Sequence, residues 1–188
     1  MQHPHDLLPR HALALIALAA ALCAPAQATS PIEPTASAAL QGKQAVGQGL
    51  LRIWGFEVYD ASLWAAPGFD APRFAAQRFG LELHYRRAFA GRDIAQRSID
   101  EMRGIGALAP EQAARWQQAM GALFPDVKPG DRILGLHVPG SGARFYLNGR
   151  LLGEIADEAF SARFFGIWLS PATSQPRLRE ALITQARR

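Results

Sequence analysis

Arg52 and Tyr59 are the residues whose types and spacing come nearest to a binding chemistry. Leu50-Leu51-Arg52-Ile53 and Phe56 to Trp64 read as two strands, and Trp54-Gly55 between them as a two-residue turn in which Gly55 supplies a positive φ. In that register Ile53 faces Phe56, Arg52 faces Glu57 and Leu51 faces Val58. Alternation then puts Leu51, Ile53, Phe56 and Val58 on one face and Leu50, Arg52, Glu57 and Tyr59 on the other. The first is a core face. The second sets a guanidinium beside a phenol, two donors suited to a carboxylate. The same pattern also has a plainer reading, in which Arg52 pairs with Glu57 across the hairpin and Tyr59 simply packs. Spacing leaves both open. Tyr85 is the third candidate, on the buried face of a strand in which Phe79, Leu81, Leu83 and Tyr85 alternate with Gly80, Glu82 and His84.

Other chemistries find little support. The lone cysteine, Cys23, excludes an intrachain disulfide and any cysteine-built zinc or iron-sulfur centre, and the five histidines are too dispersed for a metal site. Ser62, Ser98 and Ser170 sit in no nucleophile elbow. Asp100-Glu101 and Asp157-Glu158 are adjacent on helices, where neighbouring side chains diverge, so neither is an acid/base couple. Pro139-Gly140-Ser141-Gly142 precedes no helix and makes no phosphate loop. No metal and no cofactor is implied. Twenty Lys and Arg against 16 Asp and Glu give a net charge of +4, but the arginines are scattered singly, so nucleic acid is not an expected partner.

The elements that must position these residues follow from hydrophobic period. Beyond the first two strands, residues 65–77 read as a loop and 79–85 as a strand. Helices follow over 91–103, with Ile94, Ser98, Ile99 and Met102 on one stripe, and over 110–123, with Ala113, Trp116, Met120 and Leu123 on another. Strands return over 131–138, 143–147 and 150–155, the last two joined by Asn148-Gly149, a strong type I′ hairpin signal. Helices over 157–169 and 175–186 close the chain, with Asp157 as N-cap and Phe160, Phe164, Phe165 and Trp168 inward. That aromatic stripe suits a packed core and a lipid cavity equally well. Strands, helix pair, strands, helix pair imply an α+β domain: an antiparallel sheet with α-helices packed on one face.

The first residues differ from the rest. A polar start, the apolar run Ala12 to Ala24 and the Ala26-Gln27-Ala28 site read as a signal peptide over 1–28, cleaved after Ala28, which predicts a periplasmic or secreted protein. The apolar run is shorter than the ~18 residues a spanning helix needs, so no stable membrane span is expected after cleavage. Leu22 is too large to precede a lipidated Cys23. Residues 29–45, small and polar with Pro31 and Pro34, are expected to form a flexible leader with room for a first short strand, and 46–188 the folded domain.

Gly47-Gln48-Gly49-Leu50-Leu51-Arg52, Phe56-Glu57-Val58-Tyr59-Asp60-Ala61-Ser62-Leu63-Trp64, Phe89-Ala90-Gly91-Arg92-Asp93-Ile94, Tyr146-Leu147-Asn148-Gly149 and Phe164 to Pro171 stand in the order found in bacterial chalcone isomerase-like proteins, which the chain resembles over about Val46 to Ala186. The resemblance implies an open-faced sheet under helices with a cleft between them. It admits two activities: closure of a chalcone by an intramolecular lyase, and fatty-acid binding or accessory roles without catalysis. It implies that Arg52, one residue displaced by the doubled leucine, and Tyr59 guide a ligand. The helix tyrosine that polarises the ketone in the enzymes is replaced by Ile94, and the later asparagine by Glu101. Arg52 with Tyr59 resembles the fatty-acid binders more than the enzymes. The expected protein is therefore an exported, non-catalytic domain holding a small apolar carboxylate at Arg52, Tyr59 and Tyr85, with an isomerase acting on an enone as the alternative; no protein partner can be read.

Overall fold

The structure is a computed structural model and describes residues 35–184. Six antiparallel strands form one sheet in sequence order: β1 Gln44–Ile53, β2 Phe56–Ala65, β3 Phe79–Tyr85, β4 Arg132–Val138, β5 Gly142–Leu147 and β6 Arg150–Ile155. Among the described residues five α-helices accompany it: α1 Ala36–Ala39, α2 Gly91–Gly104, α3 Pro110–Leu123, α4 Glu158–Leu169 and α5 Pro176–Leu182. The expected α+β order holds, and a short 3-10 segment, Ala71–Ala76, lies within the anticipated loop.

The inner face of the sheet is built by alternation. Ala61, Leu63 and Ala65 of β2, Phe79, Leu81, Leu83 and Tyr85 of β3, and Ile133 of β4 are buried against the helices. Helix α4 supplies Phe160, Phe164, Phe165 and Trp168; Phe165 meets Phe79 and Phe164 meets Phe145 edge to face, with ring centroids 5.0 and 5.3 Å apart, and Phe124 meets Phe145 in the same way at 5.0 Å; such pairs add ~0.5–1.5 kcal/mol each beyond area burial. Gly135 makes room for this helix, since a Cβ there would stand 3.0 Å from the Phe165 ring. Asp157 does two jobs at its N-terminus: Oδ1 accepts from the Phe160 amide at 2.9 Å and Oδ2 from the Trp116 indole of α3 at 2.8 Å.

Gly47 and Gly49 serve packing. A Cβ on Gly47 would lie 2.2 Å from the Ala181 carbonyl oxygen, and one on Gly49 2.6 Å from Leu178, so the pair lets α5 rest directly on β1. Gly91 plays the same part where α2 begins: its amide donates to Asp126 at 2.9 Å, and Phe89 and Val127 exchange backbone bonds of 3.0 and 2.9 Å beside it. These bonds fix α2 over the β1–β3 half of the sheet.

Two expectations are corrected. The second part of the leader is structured: Thr35 caps α1, β1 starts at Gln44, and Ala39 is buried with Leu134, Leu136 and Tyr146. This places α1 on the outer face of the sheet, opposite the other helices, with Leu40 seated over Gly80. The other correction is in the β1–β2 register. Ile53 faces Phe56 and Arg52 faces Glu57 as expected, but Leu51 faces Tyr59, because Val58 is an extra residue in a β-bulge. From there to the far end of the hairpin, β2 presents the opposite face to the one that simple alternation assigns it. Residues 1–34 and 185–188, which include the expected signal peptide and cleavage site, lie outside the described residues.

Candidate functional site

The bulge decides what faces the helices. With Val58 accommodated, Leu51, Ile53, Val58 and Tyr59 all border a cavity of about 340 Å3 between the sheet and the helix layer. Leu83, Tyr85 and Ile133 complete its floor, Ile94, Arg97 and Glu101 of α2 one wall, and Phe164, Ile167 and Trp168 of α4 another. The volume is at the lower end of the ~300–1,000 Å3 usual for small-molecule sites. The lining is aliphatic and aromatic around a few polar groups.

Two phenols are the polar groups of the floor. Tyr59 and Tyr85 stand edge to face with centroids 5.9 Å apart. Tyr59 Oη accepts a 3.0 Å hydrogen bond from the Trp168 indole, which uses the oxygen as acceptor and leaves its proton to be donated. The Tyr85 phenol has no side-chain hydrogen bond among the described residues. Burial pushes both phenols well above the usual tyrosine range, with the neighbouring Tyr59 adding to the effect at Tyr85. Both are therefore protonated donors at neutral pH.

Two carboxylates line the polar wall: Asp93, 66 % exposed with the Arg92 guanidinium 3.6 Å away, and Glu101. Glu101 accepts from the Arg97 guanidinium and from Ser174 Oγ at 2.7 Å, so its charge is matched. Ser98 Oγ donates back to the Ile94 carbonyl at 2.8 Å. Arg97 is the one arginine among the lining residues, and it enters from α2. Its signal in sequence was its position on the Ile94–Glu101 stripe, one turn from each.

Arg52 lies elsewhere. Its guanidinium donates to Glu57 at 2.8 Å with 57 % of the side chain exposed, at the end of an outer-face chain in which Glu57 also receives Arg86 at 3.0 Å and Arg86 reaches Asp60 at 2.7 Å. The Arg52–Tyr59 face expected from alternation is thus divided between the two sides of the sheet. Tyr59 and Tyr85 come together in the cavity, and Arg52 takes the cross-hairpin pairing. Phe56, expected in the core, is 58 % exposed. Trp168, read from sequence as core, is the hydrogen-bond partner that orients Tyr59.

Among the described residues no group of three or more His, Cys, Asp or Glu side chains is placed to hold a metal ion. His137 and Ser161 are fully buried and bonded at 2.6 Å, with the other ring nitrogen 2.8 Å from the Ala75 carbonyl. Because a carbonyl only accepts, Nε2 carries the proton and Nδ1 accepts from Ser161. The pair lies outside the cavity lining and ties β4, α4 and the 3-10 segment together.

An open antiparallel sheet, a helix layer and an apolar cavity between them define the class of protein: a single-sheet α+β domain with an internal ligand-sized space. The chain belongs to the chalcone isomerase-like family, whose sequence profile matches residues 28–184. A Haemophilus influenzae (strain Rd) protein described as uncharacterized is 29 % identical over 131 residues, which are 69 % of this chain and 63 % of that protein. The chain thus spans under two thirds of that relative's length. In fold it is similar to the crystal structure of an Arabidopsis thaliana fatty-acid binding protein, with a TM-score of 0.62 at 12 % identity, covering 78 % of this chain and 89 % of that one.

Proposed function

We propose that this protein is an exported, non-catalytic carrier of a fatty acid or similar apolar carboxylic acid, held with its tail against Leu83, Ile133 and Phe164 and its head at the phenols of Tyr59 and Tyr85. The observation that carries the reading is the cavity itself: apolar walls, two protonated phenol donors, and a glutamate whose charge is already matched by arginine. Ile94 lines the space where the resemblance implies a polarising phenol, which supports binding over isomerisation. The similarity in fold to a fatty-acid binding protein supports the same class of ligand.

The test is denaturant unfolding with and without dodecanoate. A ligand present at a hundred times its Kd adds ~2.7 kcal/mol to unfolding. An unshifted midpoint, together with no acid recovered by solvent extraction and mass spectrometry of the protein from its native compartment, overturns the reading. Export is tested separately by N-terminal sequencing of the recovered protein, expected to begin at Thr29.

A further inference from the structure

The β1–β2 hairpin turns through Trp54 and Gly55 at φ 49° and 83°, and the β5–β6 hairpin through Asn148 and Gly149 at 50° and 89°. The two turns have the same geometry, and asparagine is the residue suited to its first position. At Asn148 the choice is also used structurally, since its side chain bonds the Arg132 amide at 2.8 Å and Asp131 at 3.0 Å. At Trp54 a bulky aromatic occupies a backbone conformation it rarely adopts, and it gains no burial in return: it is 94 % exposed. Phe56 beside it is 58 % exposed, with the Arg87 guanidinium 5.0 Å from its ring centre. Among the described residues nothing buries these two large aromatics.

We propose that this hairpin tip docks the protein on an anionic phospholipid surface. Two aromatic side chains are far less than the ~1,200 Å2 of a stable protein interface, but they suit shallow insertion at the level of the head groups, where tryptophan is favoured. The surrounding charge is net positive by one: Arg52 and Arg86 are paired with Glu57 and Asp60, and Arg87 at the tip has no carboxylate partner among the described residues, which leaves it to meet an anionic head group. The location gives docking a use. Ile53, next to Trp54, and Val58, two residues beyond Phe56, line the cavity, so a tip inserted among the head groups brings one end of the cavity up to the membrane surface. The docking surface does not depend on what the cavity holds.

The test expresses the full 188-residue sequence in an exporting host and purifies the form without the Ala12–Ala24 run. Flotation is measured with phosphatidylcholine vesicles, with and without phosphatidylglycerol. The wild type is expected to float with the anionic vesicles, and Trp54→Asn with Phe56→Ser to reduce the bound fraction about tenfold or more. The thermal midpoint should stay level or rise, because Trp54→Asn restores the preferred turn sequence. A wild type that floats with neither vesicle, a variant that floats as well as wild type, or a dimer that Trp54→Asn dissolves in sedimentation velocity overturns the proposal. Dodecanoate binding in solution is measured on the same samples. Its absence from both proteins alongside retained docking would remove the carrier reading and leave this one standing.

Discussion

Tyr59 and Trp168, 109 residues apart, are joined by a 3.0 Å hydrogen bond from indole to phenol across the cavity. This bond anchors α4 to β2 and aims the phenol. Tyr59→Phe leaves a part-buried indole N–H without its acceptor, which costs ~1–3 kcal/mol, and Tyr59→Phe with Trp168→Phe should recover a good part of that loss. Chemical denaturation of the two single variants and the double variant measures the coupling. A coupling indistinguishable from zero would mean that the bond does not order the cavity.

Arg52→Met is expected to change stability by less than ~1 kcal/mol, because both partners of its ion pair are exposed and the pairing is shared with Arg86. Dodecanoate binding should be untouched. Loss of binding in this variant, measured by the ligand-induced shift in unfolding midpoint, would return Arg52 to the site.

A carboxylic acid received by two phenols, with Arg97 already engaged by Glu101, is bound best when it keeps its own proton. Dodecanoate affinity should therefore rise as pH falls from 7 toward 5, by up to about tenfold per pH unit, since the unbound acid titrates near the ordinary carboxylate range. Calorimetric titration at several pH values checks the sign. Affinity that falls with acidification would assign the head group to Arg97.

Acid should destabilise the fold through two groups, one acting from the histidine range downward and one from the aspartate range downward. Burial lowers the His137 pKa, so below the ordinary histidine value of ~6.5 the unfolded chain takes up a proton that the folded chain refuses, and stability falls until the folded pKa is reached. Asp131 is held down to about 2 by hydrogen bonds from Asn148 and Lys128, so its contribution is complete above the ordinary aspartate range and is lost between there and pH 2. His137→Gln should flatten the histidine part of that loss, read by urea unfolding at pH 7.5 and pH 5, and leave the aspartate part. An unchanged slope would place the upper titration on another group.

The elements themselves were legible because their signals are redundant. Asn148-Gly149 names its turn, Asp157 caps its helix, and the Phe79–Tyr85 alternation sorts its two faces. The site was legible only in part. Tyr59 and Tyr85 reach the cavity, but Arg52 does not, and the reason is one residue: a valine accommodated as a bulge looks no different in sequence from a valine in register, yet it reverses the facing of everything beyond it. Arg97 was hidden differently, as an ordinary solvent-facing arginine on a helix whose inward stripe had been read from its apolar members. Helix α1 is only four residues long, too short to leave a period.

The position of α1 sets a boundary on how much of the N-terminal region can be removed. Leu134, Leu136 and Tyr146 are buried together with Ala39, with Ala36 and Leu40 packed against them, so trimming past Leu40 uncovers an apolar strip on the outer face of β4 and β5. The proposed cleavage after Ala28 falls before that boundary. Cleavage past Leu40, about a dozen residues beyond the proposed site, would leave the domain with an exposed apolar flank.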